Sequence, residues 1–508
     1  MNKHFIRDYP REWRMPTRVF ARLDHVERPN PGEWTVLLAF DAVDADWLLN
    51  RGLTDERFDL NDPDRALAAL SARPLKPVPQ GQGVSPFDDA PLYRIDIEHP
   101  LGHGLFGYGQ PDFIDTGRAD SGLGALEAAW FVLELTLAQQ LDGRVPASVY
   151  PSLFSLPATA FVKGTMPSVP QGKALSGIFS LATLPTISTA QLEKKLAVGR
   201  ADLLAAYDVG QGNSNALLEE HRGSAAPTLY YDLGAGVYRN QHTTPTGLRF
   251  CFTYRPPILL SHWDADHWAG TYATSINGNY PALQQDWYAP LQTVGPVHVA
   301  FAHDVFTGGG SMSTYAPPLG AIGASKLSTG QTLRFTCGSG SDRNNTGIVV
   351  AVEDDALQPG RSWILTGDCD YDFFMSTLLP HPPVGLVAPH HGADLASGVN
   401  APAPVALVTQ YCRLVYSFGA GNRHGKKQHP TTIGMQLHNN PGWKHGSWSL
   451  ATPGQSVAGA DVLHTEVHGG AGTPAGPLGG CLVGWDQKPS PIAPNCGGGG
   501  CTISPVQR

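Results

Sequence analysis

An apolar strand that runs directly into four metal-competent side chains constrains this chain more than any other feature. In Pro257-Ile-Leu-Leu-Ser-His-Trp-Asp-Ala-Asp-His-Trp-Ala-Gly270, the residues His262, Asp264, Asp266 and His267 follow Ile258-Leu259-Leu260 almost at once. A buried strand therefore delivers them together at its C-terminal edge, where α/β sheets carry their chemistry. Imidazole and carboxylate donors suit zinc or manganese, and a hydrolytic metal keeps one position open for water. The alternative is a capped turn whose histidines are only polar.

Further segments repeat this design of a strand followed by polar residues. Leu203 to Leu218 reads as strand, glycine turn and strand, with Asp208-Val-Gly-Gln-Gly212 in the turn, where Gly210 and Gly212 allow unusual backbone angles. Leu229-Tyr-Tyr-Asp-Leu-Gly234 ends in Asp232, which taken alone also fits a simple turn. Ser362-Trp-Ile-Leu-Thr-Gly-Asp-Cys369 sets Asp368 after a buried strand, and Val384-Gly-Leu-Val-Ala-Pro-His-His-Gly392 does the same for His390 and His391. Leu414 to Pro430 then carries Ser417, Asn422, Arg423, His424, Lys426, Lys427 and His429.

The series resembles the metallo-β-lactamase fold, whose usual signature is His-x-His-x-Asp-His. The variant present, His-x-Asp-x-Asp-His, resembles the hydrolase domain of ComEC-type DNA-uptake proteins and their free-standing relatives. The resemblance covers about residues 200 to 455 and implies an α/β fold, an αββα sandwich of two mixed sheets with helices outside. It also implies a dinuclear site for two divalent ions, Zn²⁺ or Mn²⁺. The implied ligands are His262, Asp264, Asp266, His267, Asp368, His391 and His429, with Asp368 bridging and with Asp208 and Asp232 supporting from behind. Asp264, Asp266 and His390 are the implied catalytic residues: Asp266 holds one metal and orients the nucleophile, and His390 hydrogen-bonds the reacting group.

Three departures from the family pattern stand out. Asn213 occupies a position that is usually acidic. Where other members carry a third-motif His, Arg343-Asn-Asn-Thr-Gly-Ile-Val-Val-Ala-Val352 appears, and ComEC-type proteins likewise carry Asn there. His424 replaces a Tyr, and Lys426-Lys427-Gln428 is inserted before His429. With Arg423 and the neighbouring Asn422, the inserted lysines form a cationic loop that suits a phosphate, the alternative being a solvated loop.

The remaining chain bounds the reading. With 508 residues, 42% hydrophobic and 16% charged, it has room for two or three domains and a large core. Residues 1–195 are expected to form an accessory α+β domain that positions substrate or a protein partner, residues 200–465 the hydrolase domain, and residues 466–508 a Gly/Pro-rich irregular tail. Within the first, Trp34–Phe40 reads as a strand, Gly124–Leu141 as a helix with Leu126, Trp130, Leu133 and Leu137 on one face, and Pro151–Lys173 as a connection. Asp41, Asp44 and Asp46, and likewise His99 and His103, read as solvated loops without a partner motif. Seven cysteines lack the spacing of a disulfide framework and are expected to be reduced, Cys496 and Cys501 lying in the tail.

A net charge of −9 argues against a broad basic surface for coating nucleic acid. No secretory signal is visible after Met1, and Ala128–Leu137 is too short to span a bilayer, so no membrane association and a cytoplasmic location are expected. The leading functional expectation is a metal-dependent phosphodiesterase, a nuclease on DNA or another nucleic acid or nucleotide. In it, two metals bind the scissile phosphate and lower the pKa of bound water toward neutrality. The alternatives are hydrolysis of a small ester, lactone or lactam, and a binding protein that keeps a metal for stability.

Overall fold

A computed structural model describes residues 1–7, 13–27, 34–72, 75–77, 83–100, 106, 123–138, 143–221, 223–273, 275, 278–328, 330–395, 403–407, 411–449, 459–466, 480–490 and 493–494. His103, Cys496, Cys501 and most of the tail from 466 lie outside these residues. The chain forms two compact units. The first comprises Met1–Pro185 together with Leu291–Thr314 and His424–Lys427; the second comprises Thr186–Pro290, Tyr315–Arg423 and Gln428–Arg508.

Six antiparallel strands of the first unit close into a barrel. They are β1 (Arg18–Glu27), β2 (Thr35–Asp44), β3 (Leu92–Pro100), β4 (Trp130–Thr136), β5 (Val145–Tyr150) and β6 (Ala158–Thr165), hydrogen-bonded in the order β1-β2-β3-β5-β6-β4. Alternate residues, among them Val19, Ala21 and Leu23 of β1 and Leu38 and Phe40 of β2, fill one apolar cluster. The intervening residues face outward and are polar where the helix Pro296–Thr307 needs partners. There the Val297 backbone N–H donates to both Asp41 carboxylate oxygens at 3.1 and 3.0 Å, and His298 Nε2 lies 2.7 Å from Asp24 Oδ1. A carboxylate at a helix N-terminus is favourable because it meets unpaired N–H groups. Of the three aspartates read as a solvated cluster, Asp41 is thus buried, Asp44 caps the helix Ala45–Gly52, and only Asp46 is exposed. His99 is also buried rather than solvated.

The expected helix over 124–141 is corrected by the structure. Among the described residues only Leu123–Ala128 is helical there, and Trp130-Phe-Val-Leu-Glu-Leu-Thr136 is β4. Its aromatic and branched residues alternate, with Phe131, Leu133 and Leu135 in the barrel core, and pairing to both β1 and β6 satisfies its backbone. The period of two overrides the coincidental helical spacing. The connection expected over 151–173 likewise contains β6 and the start of the helix Val169–Ile178.

The chain then passes through β7 (Thr186–Ile187) and the helix Thr189–Leu196, whose Ser188 and Gln191 form a reciprocal capping box. The strands β8 (Leu203–Tyr207), β9 (Asn215–His221) and β10 (Ser224–Tyr231) are antiparallel, and β11 (Ile258–Leu259) and β12 (Asp286–Pro290) add in parallel, followed in the chain by β13 (Ser311–Tyr315). A second sheet runs β14 (Gly323–Ser328), β15 (Gln331–Cys337), β16 (Ile348–Asp354), β17 (Arg361–Leu365), β18 (Pro383–Val387), β19 (Arg413–Tyr416) and β20 (Val462–His464) in spatial order. Late in the chain, β21 (Gly480–Val483) joins the first sheet beside β8.

The two sheets of the second unit share one core, built from Leu204, Leu217, Tyr231 and Leu259 on one side and from Phe335, Val350, Trp363 and Val415 on the other. The outer face of the second sheet is covered by Tyr371, Phe374, Trp443 and Trp448, which pack on Val349, Ile364, Leu386 and Leu414. Register decides where the chemistry lies. Tyr231 pairs with Leu259, and Leu365, Val387 and Val415 stand side by side, so these parallel strands end at matching heights. Among the described residues no helix is long and apolar enough to cross a membrane, and the five described cysteines are free thiols.

His438 sits under this outer layer with Tyr371 Oη 2.8 Å from its Nε2 and Gly434 O 2.7 Å from its Nδ1. Burial lowers its pKa to about 4, against which the hydrogen bond to Gly434 is the smaller influence. Between pH 6.5 and 4 the unfolded chain binds this proton and the folded chain does not, so stability falls as pH drops through that window and levels off below it. We predict that denaturant titrations show a loss of about 1.4 kcal/mol per pH unit from this residue alone, and that His438→Gln removes that portion of the slope. An unchanged slope in the variant would contradict the buried neutral imidazole.

Candidate metal centre

The donors read from the sequence meet where the parallel strands end. β10 leads to Asp232, β11 to Ser261 and His262, β17 to Asp368, and β18 to His390 and His391. Close backbone approach makes this possible. A Cβ on Gly234 would lie 1.9 Å from the Asp266 carbonyl oxygen, and one on Gly212 would lie 2.6 Å from the same atom. Both positions therefore require glycine.

Asp368 stands in the middle. Its Oδ1 is 3.1 Å from His267 Nε2, while its Oδ2 is 3.7 Å from both His262 Nε2 and His390 Nε2. Around it, two groups bring their donor atoms close together: His262, His267 and Asp368, and Asp266, His267 and His391. His391 Nε2 is 3.2 Å from Asp266 Oδ2, and His262 Nε2 is 3.6 Å from Asp264 Oδ2.

The outward ring nitrogens are set by what lies behind them. His267 Nδ1 is 2.8 Å from Asp232 Oδ2, and His391 Nδ1 donates to Ser417 O at 2.7 Å. His262 Nδ1 lies 3.0 Å from Ser261 Oγ. Each ring thereby turns Nε2 toward the other donors, the orientation in which a histidine ligates a metal. His262 Nε2 is buried and has no hydrogen-bond partner among the described residues. A buried imidazole nitrogen without a hydrogen bond, facing carboxylates just beyond hydrogen-bond reach, fits a divalent cation. Charge supports the same fit. Burial opposes a charge on His267, yet Asp368 and Asp232 hold its pKa well above the usual range; burial opposes the Asp368 charge, yet His267, His390 and His262 hold its pKa well below.

Asp232 is fully buried and takes the Ser261 N–H at 2.6 Å, the Ser261 hydroxyl at 2.8 Å and the Asn213 amide at 2.9 Å. The departure at 213 thus has a physical role. An amide donates to Asp232, whereas a carboxylate there would repel it. Asp208, by contrast, accepts from Gly210 N at 3.2 Å and braces the glycine turn.

The remaining expected residues lie as follows. His429 is buried, its ring centroid 5.5 Å from that of His390, and its backbone is held by Asn422 through bonds of 2.9 and 2.8 Å. It falls outside both donor groups. Asn422 is buried and structural in its contacts, while Arg423 is exposed and is anchored through its N–H to Asn240 Oδ1 at 2.6 Å. Lys426 is exposed, but Lys427 is only 6% exposed and places Nζ 3.8 Å from Glu27 Oε1 within the first unit. The two lysines expected to face one anion therefore have different surroundings.

Two residues were not legible as functional. Ser261 couples Asp232 to His262 and His267, and its only sequence signal is a small hydroxyl between strand and cluster. Arg343 is 2% exposed and sets Nη1 3.6 Å from Asp264 Oδ1, a buried cation beside the donors. No protein-family model and no curated protein sequence matches this chain.

We predict that Asp232→Asn, which keeps shape and removes charge, weakens Mn²⁺ or Zn²⁺ binding by about 10- to 100-fold, measured by calorimetric titration after chelation. Unchanged affinity would mean that Asp232 only shapes the turn.

Proposed function

We propose that this chain is a metal-dependent hydrolase of phosphodiesters, of the αββα kind seen in the metallo-β-lactamase fold and resembling ComEC-type hydrolases. One observation carries the reading: the two oxygens of Asp368 face different imidazoles, Oδ1 toward His267 and Oδ2 toward His262 and His390, as a carboxylate shared by two cations would. The shared core of the two sheets and the alignment of strand ends support the fold part of the proposal.

His262, Asp264 and Asp368 would hold one ion, and Asp266, His267, His391 and Asp368 the other. When bound, such ions polarise a phosphoryl oxygen and lower the pKa of water. The chain itself supplies shape and direction. His262 and His267 are fully buried and Asp368 nearly so, so they fix charge and exclude solvent from behind. Asp266 and His390 are the partly exposed members, with side chains 22% and 17% accessible, so the reacting phosphate meets them first. Asp266, held by His391, orients the attacking water, and His390 hydrogen-bonds the phosphate or leaving oxygen. Arg423, exposed one residue from Asn422, offers a guanidinium to a neighbouring phosphate.

The test is cleavage of plasmid, single-stranded DNA, RNA and a chromogenic phosphodiester by chelated protein with Mn²⁺ or Zn²⁺ restored. Activity should need metal and fall by more than about 100-fold in Asp266→Ala, with a cooperative thermal transition retained. Metal-independent activity, or a fully active variant, would sink the proposal. Arg423→Ala should lower the salt slope of nucleic-acid binding by about one unit, whereas a flat response in both proteins would favour a small uncharged ester or lactam.

A further inference from the structure

We infer that Arg343 makes the two metal positions unequal, acting as a built-in cation that weakens the position formed by His262 and Asp264. The inference rests on the metal-dependent reading above and adds an order of loading to it.

The argument is one of charge around each group of donors. At the first position Asp264 supplies a carboxylate, but Arg343 Nη1 stands 3.6 Å from its Oδ1, while its Oδ2 faces His262 Nε2 at 3.6 Å. Both residues are buried, Arg343 at 2% and Asp264 at 6% exposure, so solvent screens them little. A guanidinium does not lose its proton in a protein, so this charge stays whatever else binds. Asp264 is therefore already balanced, and a divalent ion entering beside it meets a fixed positive charge. At the second position Asp266 lies beside His391 and His267, and the buried Asp232 stands 2.8 Å behind His267 with a further negative charge. Asp368 is common to both positions. The second position thus has Asp266 of its own with Asp232 behind its His267, and the first has Asp264 beside a fixed cation. Arg343 is a positioning residue here: it touches Asp264, and acts on the metal through it.

This predicts sequential loading. Chelated protein titrated with Mn²⁺ in a calorimeter should show one tight class of site and a second at least about tenfold weaker. With a single equivalent of Mn²⁺, electron paramagnetic resonance should give the signal of an isolated ion. In Arg343→Gln the weaker class should tighten until the two lie within a few-fold, while Arg343→Lys, which keeps the charge, should preserve the gap. Two equal sites in the unaltered protein, a spin-coupled pair at one equivalent, or an unchanged gap in a folded Arg343→Gln protein would each overturn the inference while leaving the metal-dependent reading intact. Failure to bind any Mn²⁺ would overturn both. The paramagnetic measurement needs no variant, so a spin-coupled pair at one equivalent overturns the inference even where Arg343→Gln does not fold, and a gap lost in Arg343→Lys overturns the role of the charge.

Discussion

A single buried carboxylate organises the candidate site. Asp232 lies at the end of β10 with no solvent exposure and a left-handed backbone, φ 62°. Such a conformation costs a non-glycine residue about 1–3 kcal/mol, and a buried charge costs more unless it is hydrogen-bonded throughout. Both costs are offset by four donors: the Ser261 backbone and hydroxyl, the Asn213 amide, and the imidazole of His267. These partners come from the turn after β8, the end of β11 and the His-x-Asp-x-Asp-His segment. One charge therefore ties three chain segments together and aims His267 at Asp368.

The left-handed backbone at His390 and His391, φ 47° and 55°, is a second place where local cost supports the site. An extended chain would carry the two side chains to opposite faces. The turn instead sends His391 Nε2 toward Asp266 and His390 Nε2 toward Asp368. Gly392 continues the turn at φ 82°, packed so closely against Tyr416 and Pro430 that a Cβ would collide with both. This explains why Pro-His-His-Gly appears as a unit.

What was legible in the sequence follows from the range of the forces involved. The gathering of polar donors at strand ends could be read because a short apolar run and the polar residues after it are neighbours in the chain, as with Leu260 and His262 or Leu365 and Asp368. The strand β4 could not, because Trp130 to Thr136 satisfies a helical spacing as well as an alternating one, and only the pairing with β1 and β6 decides between them. The helix Pro296–Thr307 was missed for a related reason. Its buried residues surround it on all sides, so it lacks the one-sided pattern that marks a surface helix, and its N-terminus is capped by Asp41, more than 200 residues earlier. Arg343 was invisible because its meaning lies in Asp264, a partner outside its own segment.

The inserted loop shows the same limit at one residue's resolution. Lys426 and Lys427 are chemically identical in the sequence, and adjacent lysines beside an arginine read naturally as one cationic patch. In the fold, His424 and Lys427 are turned to Glu27, at 3.6 and 3.8 Å, and a lysine so little exposed is placed where an opposite charge offsets its burial. Lys427 thus faces Glu27, whereas Lys426 faces solvent. Arg423, one residue before the bridge between His424 and Lys427, remains exposed with its backbone fixed to Asn240. The insertion therefore adds one exposed lysine rather than two, because burial separates side chains that adjacency in the chain groups together.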